Sequence, residues 1–129
     1  MITFNPGTIR THSFQVKEQD LAQFTEGLVH PVCSTFALAR EVEYASRLFV
    51  LEGKDESEEG IGTFLEIKHI APALLGSHVL CKAEVMSYEK QELICKVEVL
   101  HKEKLLASCR TGQKLLKKEQ LEKIFSSLK

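Results

Sequence analysis

The chain has 129 residues, of which 43% are hydrophobic and 27% charged, which indicates one globular domain spanning residues 1–129 rather than a disordered or fibrous protein. The formal net charge is −1 and basic residues are interspersed with acidic ones, which argues against nucleic acid or an anionic membrane as a partner. No stretch approaches the roughly 20 apolar residues of a membrane span and no signal-peptide pattern is present, so we expect a cytoplasmic protein.

The cysteines lack the spacing of a metal or redox site. They are far apart in the sequence, and none forms a CxxC pair or has a closely spaced histidine partner. We therefore expect free thiols packed as small hydrophobic side chains, with no disulfide, metal or redox cofactor. The four are Cys33, Cys81, Cys95 and Cys109.

The N-terminal part of the chain carries weak structural signals. Partial alternation of polar and apolar residues over 8–16 favours a strand, and a short helix is expected over 18–24. Gly27 and Pro31 interrupt both periodicities. We therefore expect a loop over residues 25–31.

The middle of the chain predicts one long helix. Apolar residues recur with a period near 3.6 from Ser34 to Leu51. Ser34 or Thr35 can cap its start because a hydroxyl there accepts from the free N–H groups of the first turn, and Gly53 can close its end. The highly charged residues 54–60 that follow predict a solvated loop.

The C-terminal half predicts four strands and a short helix. Short connections between the strands favour antiparallel pairing, and an amphipathic pattern over 117–128 favours the closing helix. One long helix beside about five strands gives a two-layer α+β domain, in which the helix covers the apolar face of the sheet. The expected strands are 61–71, 78–86, 92–100 and 104–116.

Three residues could carry chemistry. Period-two counting from Thr63 places His69 on the aliphatic face of its strand, where it is either a satisfied core histidine or an acid/base group. Glu43 lies at the edge of the helix's buried stripe, where it either reaches water or is partly buried beside His69. Thr35 is a helix cap or an inward-folded group near the helix N-terminus, about 12 Å along a regular helix from Glu43.

Several short motifs follow one another along the chain. They are Pro31-Val32-Cys33-Ser34-Thr35, Glu43-Tyr44-Ala45, Gly60-Ile61-Gly62-Thr63, His69 with Ala71-Pro72, and Gly76 before a strand. Each motif is weak alone, but their spacings agree together over most of the chain. In this combination they resemble the fluoroacetyl-CoA-specific thioesterase-like group of hotdog proteins.

The resemblance implies a hotdog fold, in which a curved antiparallel sheet wraps one long helix, and a homodimer with active sites at the subunit interface. The family's catalytic positions match Thr35, Glu43 and His69, and its active-site glycine matches Gly62. By analogy, Glu43 acts as nucleophile or base on the thioester carbonyl and His69 assists proton transfer. Thr35 then orients the carboxylate or the carbonyl oxygen.

The chain also departs from the family pattern near the predicted substrate contacts. Thr111 and Gln113 stand at the His and Arg positions of a Gly-Thr-His-x-Arg-like run, which bears on whether fluoroacetyl-CoA is a substrate. Phe36 replaces the small residue or proline that commonly follows the threonine, and it should reshape the mouth of the acyl pocket. No Gly-rich phosphate loop is present, so scattered arginines are expected to contact CoA. They are Arg40, Arg47 and Arg110.

The leading functional hypothesis is hydrolysis of a short or medium acyl-CoA. A first alternative is a non-hydrolytic hotdog protein that binds acyl-CoA or acyl carrier thioesters, because a fold does not fix its chemistry. A second is a dimeric scaffold in which Glu43 and His69 only pack. The sequence does not distinguish acyl chains.

Overall fold

The computed structural model describes residues 4–129. The elements in chain order are β1 (Ile9–Gln15), a 3-10 turn (Glu18–Asp20), β2 (Leu21–Phe24), β3 (Gly27–Cys33), α1 (Thr35–Gly53), β4 (Glu58–His69), β5 (His78–Glu89), β6 (Glu92–His101), β7 (Lys104–Lys117) and α2 (Lys118–Ser127). Five strands form an antiparallel sheet in the order β1-β5-β6-β7-β4, and β2 and β3 form a separate hairpin. Strands β1 and β4 are therefore the two edges of the large sheet.

Helix α1 packs its apolar stripe against the inner face of the sheet, as the periodicity predicts. Val42 and Ala45 at its centre are fully buried, and complete burial of a valine-sized side chain contributes about 1.5–3 kcal/mol. Ser34 is the N-cap, and its hydroxyl accepts from the Ala37 N–H. The expected role of Gly53 is wrong: it is the last helical residue, and the helix ends at Lys54 with an extended backbone.

The alternation in the later strands is confirmed. In β6 the side chains of Leu93, Cys95, Val97 and Val99 are buried under α1, while Lys96 is exposed on the opposite face. The four cysteines are buried free thiols, as expected. The closing helix α2 is also present at the predicted place.

Two expectations for the N-terminal part are wrong. The helix expected over 18–24 is a single 3-10 turn at Glu18–Asp20, and the loop expected over 25–31 is mostly strand β3. Strands β2 and β3 pair with each other through an irregular register. Pairing and contacts with the rest of the chain override the weak local preferences here, as they commonly do for short strands.

Strand β4 begins earlier than predicted and contains a bulge. It starts at Glu58, so residues 58–60 of the expected loop are paired with β7. The pairing shifts between Gly62 and Phe64, which releases Thr63 from the regular alternation. Its hydroxyl donates to the Glu92 carboxylate at 2.5 Å, on the face opposite the buried side chains of β6. Thr63 therefore does not share a face with His69, contrary to the period-two count.

Within residues 4–129, no helix combines the length and the apolar composition that a membrane-spanning segment requires.

Candidate active site

Thr35 and His69 meet at the N-terminus of α1. Thr35 is the first residue of the helix and His69 is the last residue of β4. The Thr35 hydroxyl and His69 Nδ1 are 3.0 Å apart and share a hydrogen bond whose direction depends on the histidine tautomer. His69 is half-buried and Thr35 is exposed, so the pair is open to a ligand.

The start of α1 also offers unpaired backbone donors. Ser34 binds two amides of the first turn, accepting from Ala37 through its hydroxyl and from Leu38 through its carbonyl oxygen. The N–H groups of Thr35 and Phe36 precede these in the first turn and are not bound by the cap. Free N–H groups and the helix dipole together favour negative charge at this end of the helix.

Glu43 is exposed on α1, not partly buried beside His69 as the functional hypothesis required. It lies eight residues after Thr35, which is about 12 Å along the helix. Within one chain its carboxylate makes no hydrogen bond to Thr35 or His69. The structure thus brings together two of the three predicted catalytic residues and places the third two turns away.

Glu43 lines a pocket of about 760 Å³, here called the inner pocket. It lies between α1 and the edge of the sheet formed by β4 and β7. From β4 the lining includes Gly60, Gly62 and Leu65, and from β7 it includes Gln113. Gly62 and Glu43 therefore line the same pocket.

Two of the predicted arginines line the inner pocket, but the guanidinium group of each forms ion pairs with carboxylates of the same chain. Arg40 donates to the buried Asp20 at 2.9 Å and to Glu41 at 2.8 Å. Arg47 donates to Glu59, and this hydrogen bond holds the pKa of the Glu59 carboxyl below its ordinary value.

Two further predicted substrate contacts lie outside the inner pocket. Arg110 is exposed on β7 with its guanidinium 6.0 Å from the centre of the Phe64 ring. Phe36 follows Thr35 in the chain and is 84% exposed, so its ring lies at the surface next to the Thr35–His69 pair.

A histidine on β1 that the sequence pattern did not single out, His12, also lines the inner pocket. His12 Nε2 is 3.1 Å from the Glu41 carboxylate, and its ring lies 4.9 Å from that of Tyr44. Burial favours the protonated form of Glu41, but the hydrogen bonds from Arg40 and His12 outweigh it and lower the pKa of Glu41. Alternation with Phe14 on β1 could have placed His12 on the inner face.

The cysteines do not supply a nucleophile to this region. Burial raises the pKa of Cys81 and Cys95 to about 12 and that of Cys33 and Cys109 to about 11. A thiol with such a pKa is protonated near neutral pH and unreactive. Attack on an acyl group would therefore depend on oxygen or nitrogen groups.

A five-stranded antiparallel sheet packed around one long helix is the hotdog fold. A thioesterase superfamily member from Thermus thermophilus shares 31% identity, covers 99% of this chain and 95% of its own, and superposes with a TM-score of 0.93. A hot-dog-like protein from Thermanaerovibrio acidaminovorans shares 20% identity, covers 96% and 92%, and superposes with a TM-score of 0.86.

Residues 16–119 match the FlK family, described as fluoroacetyl-CoA-specific thioesterase. The chain belongs to this family. A structure of the fluoroacetyl-CoA thioesterase FlK shares 20% identity over 97% of both chains, with a TM-score of 0.87. Comparison with curated proteins gave no match.

Proposed function

We propose that this protein hydrolyses a short or medium acyl-CoA thioester to the free acid and CoA. The observation that carries the proposal is the hydrogen bond between Thr35 and His69 at the N-terminus of α1, in a chain that belongs to a thioesterase family. Thr35, Glu43 and His69 are the proposed catalytic residues. Substrate contacts are proposed for Phe36, Gly62, Arg110 and Gln113.

The chemistry follows from what each group can do. Glu43 attacks the thioester carbonyl or removes a proton from the attacking water; in both routes water finally adds across the C–S bond. His69, positioned by Thr35, delivers a proton to the departing CoA sulfur. The amides at the start of α1 stabilise the negative charge that develops on the carbonyl oxygen.

The distance between Glu43 and the Thr35–His69 pair supports a site shared by two subunits. About 12 Å along one helix is too far for both to act on one carbonyl carbon. The exposed face of α1 next to Glu43 also carries Tyr44 and Leu51, which are 44% and 42% exposed, among charged side chains. A second copy of the chain is the proposed occupant of this face.

Strand β4 offers an exposed edge along which two subunits can pair with two-fold symmetry, as a site shared between them requires. Strand β4 is 12 residues long and pairs with β7 on one side only, so its other edge carries unpaired backbone groups. We propose that two copies pair along β4 about a two-fold axis. Antiparallel pairing reverses the strand, which brings the His69 end of one β4 toward Gly62 and Glu43 of the other subunit.

The CoA moiety is proposed to contact Arg110. Arg40 and Arg47 are held by carboxylates, whereas Arg110 has no ion pair within the described residues, and a free guanidinium binds phosphate well. One FlK structure is a complex with acetyl-CoA, which supports CoA thioesters as the ligand class.

The buried free thiols support a reducing compartment. We therefore keep the cytoplasm as the proposed location.

A panel of acyl-CoAs with detection of free thiol tests the proposed function. We expect turnover of at least one short or medium acyl-CoA at micromolar enzyme. Tight binding without thiol release would instead favour a non-hydrolytic thioester carrier. The absence of both binding and turnover would favour the scaffold alternative.

Gly62 offers a test of the inner pocket that leaves the fold undisturbed. A Cβ atom at Gly62 would meet nothing within 4 Å in this chain, so Gly62→Ala should not lower the melting temperature appreciably. We expect it to lower kcat/KM about tenfold because the methyl group competes with substrate or with the second subunit for space. Gly112→Ala is the contrasting variant, since its Cβ would lie 2.3 Å from the Phe64 ring and should destabilise the fold. Unchanged kcat/KM in Gly62→Ala would remove Gly62 from the site.

A further inference from the structure

Gln113 places an unpaired amide in the inner pocket. It lies on β7 opposite Gly62 and is only 8% exposed. A Cβ atom added at Gly60 would lie 3.2 Å from its Oε1, which places the amide beside that glycine. Its carboxamide makes no hydrogen bond to any group in the described part of the chain.

A carboxamide that lines a pocket without a hydrogen-bond partner in the protein indicates a polar ligand. Polar side chains that are nine-tenths buried normally have a hydrogen-bond partner in the protein, in ordered water or in a ligand, and the Gln113 amide can reach such a partner only through the pocket that it lines. The same inner face of β7 carries Thr111, whose buried hydroxyl has no partner of normal geometry and faces the weakly bonding thiol of Cys95. Gln113 and Thr111 thus present two neutral polar groups to the pocket. Of the other strand residues in its lining, His12 and Thr63 are already bound to carboxylates, and the rest are glycine or apolar.

The charges around the pocket narrow the class of ligand. Both arginines that line it are bound by carboxylates of the protein. Neither is therefore available to neutralise a carboxylate carried by the acyl group of a substrate. Glu43 adds a free negative charge on the same pocket. An anionic acyl substituent would therefore be repelled, whereas a neutral hydrogen-bonding substituent would not.

We propose that Gln113 selects acyl-CoA thioesters whose acyl group carries a neutral hydrogen-bonding substituent, such as a hydroxyl or keto group. Plain alkyl acyl groups and dicarboxylic acyl groups are disfavoured. A carboxamide donates through its N–H and accepts through its oxygen, so it accommodates either substituent. The inference rests on the proposed thioesterase function and names its substrate class.

The test compares kcat/KM for 3-hydroxybutyryl-CoA, butyryl-CoA and succinyl-CoA. We expect the wild-type protein to prefer the hydroxyacyl over the alkyl thioester by about tenfold or more, because a site built to hydrogen-bond a substituent discriminates against the analogue that lacks it. Succinyl-CoA should be the poorest substrate. Gln113→Leu, which keeps the volume and removes the amide, should bring the hydroxybutyryl to butyryl ratio to about one or below.

Stability provides the control for a structural role. Removal of an unpaired buried amide should leave the melting temperature unchanged or raise it, and Gln113→Met serves as a second apolar variant if Gln113→Leu folds poorly. Gln120→Leu, on exposed α2, should leave the substrate ratio unchanged. A wild-type ratio at or below one, or a ratio that survives in both Gln113 variants, would overturn the assignment.

The proposed function can fail separately from this inference. If the wild-type protein cleaves none of the three thioesters, the same comparison is made on binding of the intact molecules by calorimetry. The dissociation constants should then show the same preference and the same loss in Gln113→Leu. Equal binding of the three thioesters would overturn the inference whatever the outcome for hydrolysis.

Discussion

Glu43→Gln and His69→Ala are each expected to lower turnover of the best acyl-CoA substrate by about a hundredfold or more. This is the scale of loss when a positioned nucleophile or acid/base group is removed. The fold should survive both changes, because Glu43 is exposed and its carboxylate makes no hydrogen bond within residues 4–129, and the side chain of His69 bonds only to Thr35 there. Steady-state kinetics beside thermal melts of the same preparations provide the measurement.

Matched substitutions separate catalysis from general effects of charge. Glu52→Gln changes another exposed glutamate of α1, whose surface pair with Arg10 contributes little. His78→Ala changes an exposed histidine at the start of β5. Both should keep near-normal turnover, and the double variant of Glu43 and His69 should be little worse than the poorer single one. Near-normal turnover in a folded Glu43→Gln or His69→Ala variant would end the catalytic assignment.

Mixing the two inactive variants is expected to restore activity, which is the second large effect. In a heterodimer of Glu43→Gln and His69→Ala, a site shared between subunits takes its intact glutamate from one chain and its intact histidine from the other. Half of the dimers then carry one working site of two, so activity should return to about a quarter of wild type. Co-expression with two different tags, followed by kinetics, measures it.

The alternative arrangement predicts no recovery. If one chain supplied all three residues, every site in the mixture would carry one substitution. Mixing Glu43→Gln with a chain that carries both substitutions is the control, since neither arrangement then leaves an intact site. Sedimentation at micromolar concentration should show a dimer throughout. An active monomer would reject both the β4 interface and the shared site.

Some parts of the site could be predicted because they depend on local periodicity. The long helix, and hence the separation of about 12 Å between Thr35 and Glu43, follows from the regular rise per residue. The inward direction of His69 follows from its distance in residues from Leu65 and Ile67, which lie beyond the bulge. The hotdog fold came from a combination of motifs whose order and spacing match a family, and the comparisons confirm it.

Other parts depended on contacts that periodicity does not contain. The bulge between Gly62 and Phe64 changed the face of Thr63, because the alternation rule assumes an unbroken ladder. The β2–β3 hairpin formed where Pro31 and short apolar runs favoured a loop, because pairing partners decide such strands. The ion pairs of Arg40 and Arg47, with partners as far as 20 residues away in sequence, likewise could not be foreseen.

The sequence by itself determined the helix, the strand alternation and the family, since these follow from the order and type of residues along the chain. Only the tertiary structure decided that Thr35 and His69, 34 residues apart, share a hydrogen bond while the Glu43 carboxylate bonds to neither. It also decided that the Gln113 carboxamide lines the inner pocket with no hydrogen bond to another group of residues 4–129. A hydrogen bond, or the lack of one, depends on distances of a few ångströms between segments remote in sequence, and the packing of α1 on the sheet sets those distances.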